Sequence, residues 1–303
     1  MNKIIKFLTN KESRFRYLSK MGFYNHMPDD KYIKKKYKAI FNKKLDLDNP
    51  QTFNEKLQWL KINNRKDIYT TMVDKYKVKE FISAQVGEKY VVPTLGIYDK
   101  FDDIEFDKLP NQFVIKCTHD SGGIIICNDK SKLDRANAKK IITKSLKRNF
   151  YLIGREWPYK NVKPRIIIEP LLHNKNGNGL IEFNMFCFNG IPKIIMVCYG
   201  DKKKNRYNDF YDENFKRIKM GITYKYSDQQ MQKPSNYYDM IKISKKISKD
   251  IPFLRVDFYL VDNEIKLGEL TFFHWSGFGK FYPQEYDYKF GQLLDINTKR
   301  KDK

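Results

Sequence analysis

The chain is poor in cysteine, in histidine and in acid. Its four cysteines, Cys117, Cys127, Cys187 and Cys198, show no C-x-x-C spacing and lie in apolar runs. They read as buried free thiols, not as a disulfide frame or a zinc site. Four scattered histidines give no metal-ligand spacing. No window approaches the ~18 apolar residues of a membrane span. The apolar stretch in residues 1–10 is too short for a secretion signal, so a cytoplasmic protein is expected. Nucleotide and hydrolase signatures are missing too. There is no G-x-x-x-x-G-K-[ST] loop, no G-x-G-x-x-G after a first strand and no G-x-S-x-G elbow. Acids number 36 against 59 Lys and Arg, a formal net charge of +23 over 303 residues. Such a balance favours polyanionic partners: acidic glycans, an anionic membrane face touched peripherally, or nucleic acid as the least favoured of the three. Part of the excess is compositional, because lysines are scattered through the whole chain.

Aromatics are plentiful, and the length suffices for one large domain or two intimate lobes. Residues up to about 49 read as basic and helical, with apolar spacing Phe15, Leu18, Met21 and Tyr37, Ile40, Phe41. Thr52-Phe53-Asn54-Glu55 is a capping box opening a helix. A further helix is expected from Ile68 to Val86, with Val73, Tyr76, Val78 and Phe81 inward and Gly87 ending it. Phe113 to Cys127 reads as strand, glycine turn, strand, and a basic helix follows from about Ala136 to Lys147. Beyond Ile166 the chain becomes strand-rich. One hairpin turns at Asn189-Gly190, an amphipathic helix spans Tyr237 to Lys249, and a second hairpin joins Leu254–Leu260 to Ile265–Thr271.

The chemistry concentrates in two places. Lys116 ends the first apolar run, and Ser121-Gly122-Gly123 follows, where backbone N–H groups can approach a phosphate closely. Downstream, period two puts Arg255, Asp257 and Tyr259 on one strand face and Val256, Phe258 and Leu260 on the other. Glu269 and Thr271 are expected to share a face with Ile265 and Leu267. A three-residue loop Asp262-Asn263-Glu264, or an equivalent bulge, sets Asp257 opposite Glu269, whereas a strict two-residue turn opposes their faces. Paired carboxylates suit Mg²⁺, which uses one or two of them plus substrate phosphates. Arg255 can then reach a transferring phosphate. Glu169, before Pro170, is either a strand-end carboxylate or part of a hinge whose backbone meets an adenine. His119 and Asp120 are loop candidates for acid–base work. Each has a plain structural alternative: a polar strand face, a snorkelling lysine, an ordinary hairpin turn.

Longer words in the chain resemble the TupA-like branch of the ATP-grasp superfamily, found in bacterial polysaccharide gene clusters. They run from Asn49-Pro50-Gln51-Thr52-Phe53-Asn54-Glu55-Lys56-Leu57-Gln58-Trp59-Leu60 through Val73-Asp74-Lys75-Tyr76 and Leu109-Pro110-Asn111-Gln112-Phe113-Val114-Ile115-Lys116-Cys117. Gly154-Arg155-Glu156-Trp157-Pro158-Tyr159, Cys187-Phe188-Asn189-Gly190, Arg255-Val256-Asp257-Phe258-Tyr259 and Gly268-Glu269-Leu270-Thr271-Phe272 follow. The resemblance implies an α+β ATP-grasp fold, two lobes holding Mg-ATP between them. Residues 1–50 would form a basic helical extension, about 106–168 a lid lobe and about 169–303 the catalytic lobe of a 51–303 domain. It makes Lys116 the phosphate lysine, Ser121, Gly122 and Gly123 the lid, and Glu169, Pro170 and Leu171 the adenine hinge. Asp257 and Glu269 become the Mg²⁺ ligands, with Arg255 near the γ-phosphate. Three positions depart from the family pattern: Asn184 replaces a lysine, Asp120 a glycine, and Phe273-His274-Trp275 a smaller Pro-containing stretch. The implied activity is an ATP-dependent carboxylate–amine ligase acting on a capsular or cell-wall glycan precursor, with a uronic acid or acidic amino acid as carboxylate. A sugar kinase, a glycosyltransferase and a non-enzymatic polyanion binder are the alternatives.

Overall fold

A computed structural model describes residue 7 and residues 9–175, 179–200, 206–224 and 226–296. Two antiparallel sheets organise it. The first has the order β1-β4-β2-β3, from β1 (Gly96–Tyr98), β2 (Phe113–Cys117), β3 (Ile124–Cys127) and β4 (Ile166–Pro170). Its core side carries Phe113, Ile115, Ile166 and Ile168, covered by the Arg135–Leu146 helix through Ala138 and Ile142. Asp134 caps that helix by accepting from the Asn137 N–H at 2.9 Å.

The second sheet includes β5 (Ile181–Phe188), β6 (Ile191–Tyr199), β7 (Tyr207–Asp212) and β8 (Arg217–Ile218). After the short β9 (Gly221–Ile222) come β10 (Phe253–Val261), β11 (Glu264–Thr271) and β12 (Phe281–Tyr282). The six-stranded order is β11-β10-β5-β6-β7-β8, and β12 pairs with β9. The Tyr237–Ile247 helix lays Met240, Ile243 and Ile247 against one face, as the apolar spacing predicts. Helix Phe53–Asn63 begins at the expected capping box, in which Thr52 N–H donates to Glu55 at 3.0 Å and Glu55 N–H to Thr52 at 3.3 Å. Phe53 then enters an aromatic cluster with Phe188, Phe253, Phe281 and Phe290. Deleting such a ring costs about 3–5 kcal/mol, so this cluster rather than helix propensity sets the helix in place.

Several local expectations need correction. The helix expected over 68–86 is two, Ile68–Val73 and Lys77–Val86. Asp74 interrupts it, because its carboxylate accepts from the Tyr76 and Lys77 N–H groups and pairs with Arg165 at 3.3 Å. Tyr76 therefore lies at the surface. In the extension, helices Lys11–Lys20 and Asp29–Phe41 bury Phe15, Tyr32, Ile33 and Tyr37, while Met21 points outward. The β10–β11 turn has two residues, Asp262 and Asn263, both left-handed (φ 47° and 65°). All four cysteines are buried free thiols. No helix among the described residues is long and apolar enough to cross a membrane.

Candidate active site

A two-residue turn alone would set Asp257 and Glu269 on opposite faces. A bulge reverses that. Val256 pairs with Leu270 but Phe258 pairs with Leu267, so Gly268 and Glu269 together oppose Asp257. The bulge needs glycine, since a Cβ at 268 would lie 2.7 Å from the Tyr259 ring. Glu269 and Thr271 thus share the face of Arg255, Asp257 and Tyr259, while Ile265 and Leu267 fall in register with Leu260 and Phe258 on the other. The expected partnership of Glu269 with Ile265 and Leu267 is corrected by that extra residue.

Between the two sheets lies a cleft of about 620 Å³. Lys116 and Glu169 line it from the first sheet, and Asn184, Asp257 and Glu269 from the second. Arg255 binds Asp257 with two bonds of 2.6 and 2.5 Å, reaches Glu269 at 3.2 Å and Thr271 at 3.1 Å, and contacts His274 Nδ1 at 2.7 Å. The two carboxylates are therefore bridged by a guanidinium. Burial pushes Asp257 up to about 7 even against that partner, with Glu269 adding to the rise. Burial also acts on Glu269, but Arg255, Lys75 and Lys116 outweigh it and hold its carboxyl below the usual range. His274 is driven well below its normal value by burial and by Arg255, so its ring is neutral, and its Nε2 has no partner.

Across the cleft Lys116 reaches one oxygen of Glu169 at 2.5 Å and Lys79 the other at 2.6 Å. Burial would raise Glu169, yet the two ammonium groups leave it below its ordinary value. Lys79 was not apparent as a site residue in the sequence. The signal was a lysine three residues before the buried Ile82, at the edge of an apolar stripe. Pro170 and Leu171 do not line the cleft; Glu169 does.

The glycine turn is held differently from a free lid. Asp120 is buried, and its carboxylate accepts from Gly122 N–H (3.4 Å), Gly123 N–H (3.3 Å) and the Ser145 hydroxyl. Lys75 donates to the Asp120 carbonyl, and His119 Nε2 contacts the Arg148 carbonyl at 3.1 Å. Within Thr118–Gly123, Ser121 is the residue that lines the cleft. His119 and Asp120 are thus framework groups here, not acid–base groups facing the cleft.

At the other end, His274–Gly277 forms a tight loop in which Trp275, Ser276 and Gly277 all have positive φ (49°, 54° and 62°). Three left-handed residues in a row require outside support. Gln58 donates to the Ser276 and Gly277 carbonyls at 3.2 and 2.6 Å, and the fully buried Lys61 donates to the Ser276 carbonyl at 2.8 Å and to Gly154 at 2.7 Å. Gly154 is required as well, because a Cβ there would lie 2.2 Å from the Ser276 hydroxyl oxygen. Glu156 beside it lines the cleft, and burial raises its carboxyl above the usual range. Sequence reasoning missed Gln58, Lys61 and Glu156 as contributors. Lys61 falls four residues after Leu57, a lysine on an apolar stripe.

The model of the family described as TupA-like ATPgrasp matches residues 55–295. The chain belongs to the TupA-like ATP-grasp family. Its architecture is accordingly the ATP-grasp fold, α+β in class. Among solved structures, it is similar to D-alanine–D-alanine ligase from Bacillus anthracis complexed with ATP: 19% identity, 66% of this chain and 55% of that one, TM-score 0.37. D-cycloserine synthetase DcsG gives 11% identity, 74% and 69% coverage and a TM-score of 0.42. N5-carboxyaminoimidazole synthase from Aspergillus clavatus, in complex with ADP and 5-aminoimidazole ribonucleotide, gives 10%, 68% and 46%, and 0.38. The chain spans little more than half the length of the D-alanine ligase. Comparison with curated protein sequences found no match.

Proposed function

We propose that this ATP-grasp protein is an ATP-dependent ligase that joins a carboxylate to an amine, with an anionic glycan or uronic acid of a capsular or cell-wall polysaccharide as the carboxylate substrate. One observation carries the reading: Lys79 and Lys116 from one side of a cleft converge with Arg255, Asp257 and Glu269 from the other. Such a site holds a polyphosphate between cations and offers acidic oxygens to a divalent ion. The residues fit Mg-ATP in kind. Asp257 and Glu269 would ligate Mg²⁺, and no group of three or more His, Cys, Asp or Glu side chains converges among the described residues. A shell with few protein ligands is the type that Mg²⁺ completes with water and phosphate oxygens. When bound, the ion supplies charge neutralisation at the phosphates.

The chain's own part is positioning. Lys116 and Lys79 exchange Glu169 for phosphate oxygens, and Ser121 meets them from the turn. Arg255 lies beside the carboxylates, where charge develops as a substrate carboxylate oxygen attacks the γ-phosphorus and ADP departs. The amine nitrogen then attacks the acyl carbon, phosphate leaves with its bonding pair, and the amine gives up one proton. The basic surface attracts an anionic substrate. The test offers the full chain Mg-ATP with uronic acids, acidic amino acids and small amines, and follows ADP and amide by mass. ADP and amide formed only when both co-substrates are present is the expected result. A stable phosphorylated sugar would make it a kinase, and turnover of a nucleotide-sugar without ATP a glycosyltransferase; either ends the ligase reading.

A further inference from the structure

The second sheet forms the floor of the cleft, and its register lays out a row. Asp257 on β10 faces Asn184 on β5, Asn184 faces Met196 on β6, and Cys198, two residues on, faces Asn208 on β7. At ~4.8 Å per strand the row runs roughly 14 Å from Asp257 to Asn208, longer than the carboxylate site needs. Between Asp257 and Asn208 the row's own polar groups are amides, with Glu182 and Arg206 lining the cleft beside them. Asn184 is 2% exposed and Asn208 3%, both line the cleft, and the Oδ1 of each is buried without a partner. Asn184 spends its amide nitrogen on Cys198 Sγ at 3.4 Å. Nearby charge is already committed, since Arg206 pairs with Glu182 at 3.1 Å.

Above this floor stand two exposed aromatic rings that also line the cleft, Trp275 at 41% and Tyr224 at 37% exposure, with centroids 5.7 Å apart. Tyr224 follows β9, which packs beside β7, and so belongs to the Asn208 end. Trp275 is presented by the left-handed loop that Gln58 and Lys61 hold. Buried amide oxygens accept hydrogen bonds and give none. They favour hydroxyl or amide N–H groups and disfavour a carboxylate or phosphate at the same place. An aromatic face suits the C–H face of a ring.

We infer that this floor is a subsite for a pyranose ring, its hydroxyls donating to Asn184 and Asn208, its face on Trp275 and Tyr224, and its carboxyl substituent directed to the Asp257 end. The inference rests on the ligase reading only for the fate of the carboxyl. It chooses a sugar acid over an acidic amino acid, which has no ring face to lay on Trp275 and Tyr224 and no row of hydroxyls for the two amide oxygens.

Saturation-transfer NMR on the full chain tests it, using methyl glucuronoside, methyl glucoside and glutamate as probes, with binding of a non-hydrolysable ATP analogue measured in parallel. Both glycosides should receive saturation at ring protons. Trp275→Ala should weaken them by about tenfold, Trp275→Phe should restore most of the loss, and Asn208→Ala should weaken both several-fold with analogue affinity unchanged. Glycosides without saturation while the analogue binds would overturn the subsite and leave the ligase reading standing. Glutamate saturated in a Trp275-independent way, with glycosides silent, would also overturn it. Ring saturation with no analogue binding would uphold the subsite and remove the ligase reading.

Discussion

Asp257 answers two opposed demands. Burial favours its neutral form and lifts it to about 7, while the Arg255 bonds, and the metal ligation proposed for it, need the carboxylate. Its folded value lies above the ordinary ~3.9 of an unfolded chain, so the native state holds the proton more tightly. That contribution to stability is complete below the unfolded value and is lost as pH rises through about 7. Metal affinity moves the other way. Mn²⁺ binding should strengthen about tenfold per pH unit below Asp257's value and level off above it, because ligation releases the proton. Titration by electron paramagnetic resonance from pH 5.5 to 8.5 measures this. Asp257→Asn should fold, flatten the pH dependence of melting between pH 5 and 7, and reduce Mg-dependent turnover by at least about a hundredfold. An unchanged pH slope in that variant would remove Asp257 from the titration.

At the scale of elements, the hairpin shows what was legible and what was not. Acids are rare in strands, so Asp257 and Glu269 stood out, and their shared cleft followed from period two plus one irregularity. The sequence allows that irregularity as a three-residue loop or as an equivalent bulge, and the bulge is what forms. The turn closes with two left-handed residues, and the extra residue sits inside β11 at Gly268. An isolated glycine in a strand was the available sign. The loop that presents Trp275 was not legible, because its supports lie more than 200 residues away, in the Asn54–Lys61 stretch. That stretch looked like an ordinary amphipathic helix; its polar members Gln58 and Lys61 are the ties. Gln58→Ala leaves the Gly277 carbonyl without its donor at a cost of about 1–3 kcal/mol. The expected outcome is a melting temperature lower by several degrees, a several-fold rise in the KM of the carboxylate substrate and an unchanged KM for ATP. Equal changes in both would show that the tie supports the whole cleft.

For the whole molecule, the basic extension is joined to the ATP-grasp body by specific contacts. Arg155 donates to the Tyr24 carbonyl at 2.6 Å, Tyr151 to Asp29 at 2.5 Å, and Phe278, just past the Trp275 loop, stacks on Phe41. Lys36 completes the contact by donating to the Ile153 carbonyl at 2.8 Å, and burial lowers its pKa to about 8. The sequence showed this block as charge and helical spacing. It did not show the seam, which depends on Arg155 adopting a left-handed backbone (φ 54°) that composition does not announce.

The buried thiols have a consequence of their own. Two lie in the first sheet, Cys117 and Cys127, and two in the second, Cys187 and Cys198. Burial holds every one of them above the ordinary thiol range, Cys117 at about 11 and Cys187 and Cys198 at about 12. Each is at most 2% exposed, so its reaction with an alkylating reagent waits on a local opening that uncovers the sulfur, and Cys198, which lines the cleft, is shielded directly by an occupant as well. The protein thus carries one two-thiol chemical clock for each half, without any engineered label. Timed alkylation read by peptide mass should show the Cys117 and Cys127 pair and the Cys187 and Cys198 pair advancing at separate rates in the free protein. A nucleotide gripped from both sides should slow the two clocks to one common rate; a ligand held by the second sheet alone should slow only its own.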